Sequence, residues 1–283
     1  MSDQRLILLT GGAGFVGRHL LERLAVQGVA VRLIVRTPHQ SADAAMPGVT
    51  SIVTSPDIFA EDVSWWTQAC ADVDSVIHAA WYAEPGQYLR SDKNLACLTG
   101  TLALAQGAVQ AGVRRFVGVG TCFEYDLGVG ALATSTPLKP ATLYAASKAA
   151  AYMVLSNYLS STSMAFAWCR LFYLHGAGED PRRLVPLLHQ RLAAGEPVDL
   201  TDGSQIRDYL DVREAARQIV DAALSQVQGA LNICSGVPVS VRQMAEHVAD
   251  QYGRRDLLRF GARAHSDLDP PFVVGLTADR VCH

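Results

Sequence analysis

Tyr144 and Lys148 stand four residues apart in Tyr144-Ala145-Ala146-Ser147-Lys148, so on a helix their side chains share one face. A free phenol titrates near ~10 and is a sluggish acid or base at neutral pH. An adjacent ammonium stabilises the phenolate and draws the group toward the working range. Tyr144 can then protonate the oxygen that forms as hydride reaches a carbonyl carbon, or deprotonate an alcohol in reverse. Thr121, at the end of the apolar run Phe116-Val117-Gly118-Val119-Gly120, can hydrogen-bond the same oxygen. Tyr-x-x-x-Lys also occurs on ordinary helices with a solvated lysine, so this reading needs a hydride source.

The N-terminal segment supplies one. Thr10-Gly11-Gly12-Ala13-Gly14-Phe15-Val16-Gly17 follows the apolar run Leu6–Leu9 and opens an amphipathic segment, the strand-turn-helix context that a dinucleotide pyrophosphate requires. Gly12, Gly14 and Gly17 satisfy G-x-G-x-x-G, while Gly11, Gly14 and Gly17 satisfy a second register, and the motif alone does not choose between them. Some twenty residues further on, an NAD-selective site places an acid on the ribose 2′-hydroxyl. Here the second strand ends in Val35-Arg36-Thr37. A guanidinium cannot accept from that hydroxyl but pairs with a 2′-phosphate, so Arg36 favours NADP(H) and leaves NAD(H) as the alternative.

The bulk numbers exclude other classes. At 283 residues, 49% hydrophobic and 18% charged, the chain is globular with a large core. A net charge of −3, with no basic stripe, argues against nucleic acid and for a small-molecule substrate. Cys70, Cys97, Cys122, Cys169, Cys234 and Cys282 form no Cys-x-x-Cys pair and have no histidine at ligand spacing, so no metal site and no disulfide framework is expected. With no secretory core and no bilayer-length apolar run, the expected setting is cytoplasmic and not membrane-bound.

The catalytic pair must be held by a sheet. Strand-like runs at Leu6–Leu9, Val29–Val35, Ser51–Thr54, Val73–His78 and Phe116–Val119 alternate with helical periodicity through Leu20-Leu21-Leu24 and Asn94–Ala111. A further helix, about Thr142–Leu159, precedes a strand at Phe166-Ala167-Trp168. The alternation predicts an α/β fold, a doubly wound parallel sheet of Rossmann type with helices on both faces. After Arg170 Gly and Pro break the chain into short pieces, which predicts a smaller C-terminal substrate-binding lobe. Residues 1–170 plus about 205–233 then form the cofactor domain, and about 171–204 with 234–283 the lobe. Residues 231–234 read as one more strand and 240–252 as a helix.

With these pieces in place the chain resembles the extended short-chain dehydrogenase/reductases, specifically the NAD-dependent epimerase/dehydratase family acting on nucleoside-diphosphate sugars. The resemblance runs almost the full length. It rests on the glycine motif at 10–17, Asp57-Ile58, Val76-Ile77-His78-Ala79-Ala80, Asn94 with Gly100-Thr101, the Tyr144/Lys148 pair, Arg170-Leu171-Phe172 and Arg207-Asp208-Tyr209-Leu210-Asp211-Val212. It implies a catalytic triad of Thr121, Tyr144 and Lys148, with Lys148 also on the nicotinamide ribose. It further implies Asp57 and Ile58 against adenine, Ala79 and Ala80 against the cofactor backbone, and Arg207 on the substrate diphosphate. Without the resemblance, Arg207 reads as a salt bridge to Asp208 or Asp211. Four-helix homodimers are usual among similar proteins, and helices near 94–111 and 142–159 are the candidates here. Such proteins also continue beyond Asp279–His283.

Departures narrow the reaction. Similar dehydratases carry Asp-Glu after the catalytic threonine; here Cys122-Phe123 leaves no carboxyl pair to eliminate water. Similar bifunctional epimerase-reductases use a Cys two places after the hydroxyl residue and a His in the next lobe, positions held here by Phe123 and Arg183. Cys122 is one residue out of phase and reads as a buried small hydrophobe. Trp81, Tyr82, Glu124 and Tyr125 leave the sheet at carboxyl ends of strands, so they are candidate sugar-pocket residues along with Arg183. His78, His175, His189 and His247 read as structural or exposed. The expected function is NADP(H)-dependent reduction of a nucleoside-diphospho-4-keto-6-deoxyhexose. The alternatives are an NAD-dependent nucleotide-sugar 4-epimerase, a small aldehyde or ketone reductase, and a cofactor-bound regulator without turnover.

Overall fold

The computed structural model describes residues 5–36, 48–264 and 269–277; Thr37, Cys282 and the segment Asp279–His283 lie outside them. The first elements are β1 (Leu6–Thr10), α1 (Phe15–Val26), β2 (Ala30–Val35), β3 (Val49–Thr54), α2 (Val63–Ala69) and β4 (Ser75–His78). Then come α3 (Lys93–Gln110), β5 (Arg115–Thr121), the short β6 (Ala131–Leu132), α4 (Leu143–Ser160) and β7 (Ala165–Leu171). With β11 (Gly229–Ile233) the long strands form one seven-stranded sheet, in the order β3-β2-β1-β4-β5-β7-β11, and every pairing in it is parallel.

This order explains why β1 reads as a continuous apolar run. Its alternate side chains enter two cores, Ile7 and Leu9 one and Leu8 the other. The first core lies under α1 and α6 (Val212–Leu224), where Leu20, Leu21 and Leu24 meet Ala215, Ala216, Ile219 and Val220. The second lies under α2, α3 and α4, around Trp66, Leu104, Leu155 and Trp168. Local sequence sets where helices begin. Thr142 Oγ1 accepts from Ala145 N–H at 3.2 Å, and Asp211 Oδ1 from Arg213 N–H at 2.8 Å. α1 differs: it starts at Gly14 with no side-chain cap, so its first N–H groups stay available to a ligand.

Beyond β7 the chain builds a second layer from β8 (Tyr173–His175), α5 (Leu184–Ala193), β9 (Val198–Leu200), β10 (Ile206–Asp211), β12 (Pro238–Ser240), α7 (Val241–Asp250), β13 (Leu258–Phe260) and β14 (Phe272–Gly275). The smaller sheet runs β12-β10-β14-β6, with β8 also on β10, and β13 pairs β9 separately. β10 thus belongs to the smaller sheet, whereas α6 and β11 return to the large one. Asp208 fastens these parts, accepting from Ser235 N–H at 2.7 Å, Gly236 N–H at 2.9 Å and Gly275 N–H at 3.1 Å. No helix among the described residues is long and apolar enough to cross a membrane.

Candidate active site

A cleft of about 980 Å³ runs along the carboxyl ends of the large sheet, between the glycine turn and the smaller layer. Gly11, Gly14, Phe15, Val16, Gly17, Arg36, Ile58, Ala79, Ala80, Thr121, Tyr144, Lys148, Arg183 and Arg207 all line it. The turn after β1 uses the glycines of both registers, since a Cβ at Gly12 would also meet the Leu33 side chain. Gly11 has φ +77°, and a Cβ there would come within 2.6 Å of Ala80 N. At Gly17 a Cβ would collide with the Gly11 carbonyl oxygen, so α1 packs directly on the turn. A Cβ at Gly14 meets only the Gly11 carbonyl oxygen, at 3.2 Å, and otherwise open cleft. This cradle, with the uncapped N-terminus of α1, fits a pyrophosphate.

Behind the cradle, His78 bridges Thr10 Oγ1 at 2.8 Å and Thr101 Oγ1 at 2.9 Å, tying β1, β4 and α3 together. Burial pushes this imidazole down to about 3, so it is neutral and structural. Arg36 sits exposed at the end of β2, on the same cleft wall. Ile58 is in the wall too. Asp57 is beside it but outside the wall, exposed, with Oδ1 accepting from Phe59 N–H at 3.0 Å.

The catalytic candidates converge from two elements. Thr121 ends β5, and its hydroxyl stands beside the phenol of Tyr144, which comes from the first turn of α4. Lys148, one turn further on, donates to the Val119 carbonyl at 2.5 Å, and its Nζ lies 3.9 Å from the centre of the Trp81 indole. Burial pushes Tyr144 well above the ordinary phenol range and Lys148 down to about 7. Near neutral pH, then, the phenol is protonated while the amine is poised to change charge. That arrangement can give a proton to an oxygen placed between Thr121 and Tyr144.

At the other end, Arg207 is 2% exposed and paired with Asp269 at 2.5 Å, its guanidinium 5.1 Å from the Tyr173 ring centre. The sequence alternative, a bridge to Asp208 or Asp211, is not what forms, because those carboxylates hold backbone N–H groups. Arg183 precedes α5 and lies 5.6 Å from the Tyr88 ring centre. Two guanidiniums on one wall suit a diphosphate.

Three expected pocket residues are elsewhere. Glu124 is fully buried behind Thr121 and outside the cleft, because the turn after β5 aims it inward at Arg170, with Nε–Oε2 at 2.7 Å. Tyr82 points off the wall, its hydroxyl donating to Gln87 Oε1 at 3.1 Å and its ring facing the Lys93 ammonium. Tyr125 is also buried, on Asn232 and Arg170. Trp81 does line the cleft, held by Nε1–H donation to Asn94 Oδ1 at 2.8 Å. Cys122 is a buried thiol in a small apolar cluster, pushed up by desolvation.

Several wall residues escaped sequence reasoning. Tyr88 meets Tyr144 edge to face at 4.8 Å, and Glu179 presents a half-buried carboxyl pushed up to about 7 by desolvation. Tyr173 meets Phe123 edge to face at 6.1 Å, and Tyr209 packs on Tyr173 at 6.2 Å. Tyr88 and Glu179 stand in irregular segments and Tyr173 on a three-residue strand, where no periodicity marks them; Tyr209 lies on β10, where the sequence singles out only the arginine.

The model of the NAD-dependent epimerase/dehydratase family matches residues 7–234. Among curated relatives, the dTDP-6-deoxy-L-talose 4-dehydrogenase (NAD(+)) of Aggregatibacter actinomycetemcomitans is 25% identical over 248 residues, covering 85% of this chain and 88% of that protein. The UDP-glucose 4-epimerase of Bacillus subtilis is 24% identical, covering 97% of this chain and 90% of its own. Among solved structures, the UDP-N-acetylglucosamine 4-epimerase of Methanobrevibacter ruminantium superposes with a TM-score of 0.86 at 20% identity, over 99% of this chain and 92% of that one. MoeE5 in complex with UDP-glucose and NAD gives 0.77 at 27% identity, over 96% and 89%. The chain belongs to the NAD-dependent epimerase/dehydratase family.

Proposed function

We propose that this protein reduces a nucleoside-diphospho-4-keto-6-deoxyhexose at C4, using NADP(H). The observation that carries this reading is the surroundings of the Thr121–Tyr144–Lys148 group. Neither residue that follows Thr121 is a carboxylate: Cys122 is buried and Phe123 packs on Tyr173. With no acid and base there to remove water, the group is equipped for redox chemistry alone. A nicotinamide cofactor held along the glycine turn would supply the hydride for the carbonyl carbon. Thr121 orients the carbonyl oxygen, Tyr144 gives it a proton, and Lys148 stabilises the phenolate left behind. Arg207 and Arg183 hold the diphosphate, so the sugar reaches Tyr144. Asp57 and Ile58 border the adenosine end, and Arg36 takes the 2′-phosphate.

The large sheet with α1 to α4 and α6 forms the cofactor domain on this reading, and the smaller layer the substrate lobe. Exposed Leu95 on α3 and Met153 and Val154 on α4 make a homodimer face, checked by the mass of the protein in solution. The test of function mixes the purified protein with NADPH, or NADH, and a panel of 4-keto-6-deoxyhexose nucleotides. Stoichiometric loss of reduced nicotinamide, faster with NADPH, supports the reading.

The second reading is a 4-epimerase that retains NAD. The extent of the match to the Bacillus UDP-glucose 4-epimerase favours it. It predicts no net cofactor consumption and interconversion of 4-epimeric sugar nucleotides.

A further inference from the structure

Glu124 is a buried carboxylate bonded to the backbone of Thr121, and it touches neither the cleft nor solvent. Its Oε1 accepts from Thr121 N–H at 2.8 Å and from Trp168 Nε1–H at 3.0 Å; its Oε2 takes Arg170 Nε–H at 2.7 Å. Together with the Thr121 hydroxyl, which accepts from Phe123 N–H at 3.3 Å, the first of these bonds closes a reciprocal cap on the single turn Cys122–Glu124. Arg170 is fixed in turn between the rings of Tyr125 and Tyr152, each 4.5 Å away, and donates to Tyr125 Oη at 2.9 Å. A buried ion pair contributes little net stability, so its retention beside a reacting group calls for another account.

We propose that Glu124, backed by Arg170, is a positioning residue for the proton-transfer group: it fixes Thr121 through the backbone and places an ion-paired carboxylate behind α4. The proposal rests on the reading that Tyr144 and Lys148 transfer a proton. The groups facing Lys148 single Glu124 out. Trp81 and the Val119 carbonyl are uncharged, and Trp168 presents only a ring face. His78 on β4 is neutral, and the Cys97 thiol on α3 is pushed up by burial. Tyr144, on the same helix, is a neutral phenol. Glu124 is therefore the anion that offsets the desolvation of Lys148, and the same charge opposes ionisation of Tyr144. Both effects favour the protonated pair, the form that donates to a developing alkoxide.

The chain has three lysines, Lys93, Lys139 and Lys148, and the first two are exposed. Protein labelled with ¹³C at lysine Cε therefore gives three titrating signals, with Lys148 assigned by its loss in Lys148→Met. In the wild type one signal should titrate well below the other two. In Glu124→Gln its midpoint should fall by about one pH unit. Since Gln leaves Arg170 as an unpaired buried cation that itself opposes the Lys148 ammonium, Glu124→Gln/Arg170→Met removes both charges and should show a fall of the same sign but smaller size. An unmoved midpoint in Glu124→Gln, or a wild-type midpoint in the double variant, overturns the proposal. No substrate enters this measurement, so a failure of the ketoreductase reading would appear separately, as absence of nicotinamide oxidation by the wild type.

Discussion

The Arg207 guanidinium is held by the Asp269 carboxylate at 2.5 Å, across 62 residues of chain, in the wall where a diphosphate is expected. Asp269 is 38% exposed and Arg207 only 2%, so the carboxylate is the partner that can leave. A diphosphate arriving there replaces one anion by another and keeps the buried cation paired. Arg207→Ala should therefore weaken binding of a nucleoside diphosphate by about tenfold to a hundredfold, as expected for a hydrogen-bonded charge. Asp269→Asn should tighten it. Calorimetric titration with dTDP and UDP reads both; a wild-type affinity in Arg207→Ala would place the diphosphate elsewhere.

Tyr144→Phe removes one hydroxyl at the meeting of β5 and α4 and leaves the ring against Tyr88. Turnover should fall by about a hundredfold to ten-thousandfold, the usual contribution of a positioned acid. Binding of reduced cofactor, followed by quenching of tryptophan fluorescence, should not change. Retained turnover would mean that another group protonates the product.

Much of this site was legible because its parts are local. The glycine turn, the i, i+4 pair and the strand ending in Thr121 each lie within a few residues, and parallel strands buried on both faces announce themselves as apolar runs. Glu124 shows the limit. Its position beyond β5 was clear, but whether it faces the cleft depends on Arg170 and Trp168, more than forty residues away, which draw it inward. Arg207 could be singled out in the sequence and lines the cleft, but its partner Asp269 could not, since no pattern links a carboxylate in an irregular segment to a strand 62 residues before it. The smaller sheet was unreadable for the same reason. Its strands are mostly two to four residues long, too short to display a period.

On the proposed mechanism, Lys148 sets the pH dependence of the reaction. Burial lowers this amine from 10.5 to about 7, so the ammonium is present below about 7 and is lost as the pH rises through it. The ammonium stabilises the phenolate left by proton donation, so kcat/KM for reduction should decline on the alkaline side of about 7. The decline should not wait for the range of a free lysine. A profile from pH 5.5 to 9.5 with saturating cofactor reads the limb. In Lys148→Arg the limb should vanish from whatever activity remains, because guanidinium does not titrate there.

Arg36 supplies a cofactor test independent of the sugar. Arg36→Ala should weaken NADPH by about tenfold or more, the cost of losing a charge-assisted phosphate contact, and leave NADH nearly unchanged. Arg36→Asp should go further and favour NADH, since a carboxylate accepts from the 2′-hydroxyl and repels the phosphate. Equal loss of both cofactors would show that Arg36 supports the strand end and does not select.

Gly17→Ala tests the cradle itself. The added methyl would overlap the Gly11 carbonyl oxygen and crowd Gly12 Cα at 2.6 Å, all backbone that no rotamer change can relieve. α1 must then move off the turn, which should lower stability by about 1–3 kcal/mol, as overpacking does, and shift the uncapped N–H groups away from the pyrophosphate. Gly14→Ala is the control. Its methyl meets only one carbonyl oxygen, at 3.2 Å, and otherwise points into the cleft. It should spare the melting temperature while still impeding the cofactor. Melting curves of the free and cofactor-saturated proteins separate the two effects. If Gly14→Ala loses stability as Gly17→Ala does, the turn is strained for packing alone, and the open space at Gly14 is not where the phosphates sit.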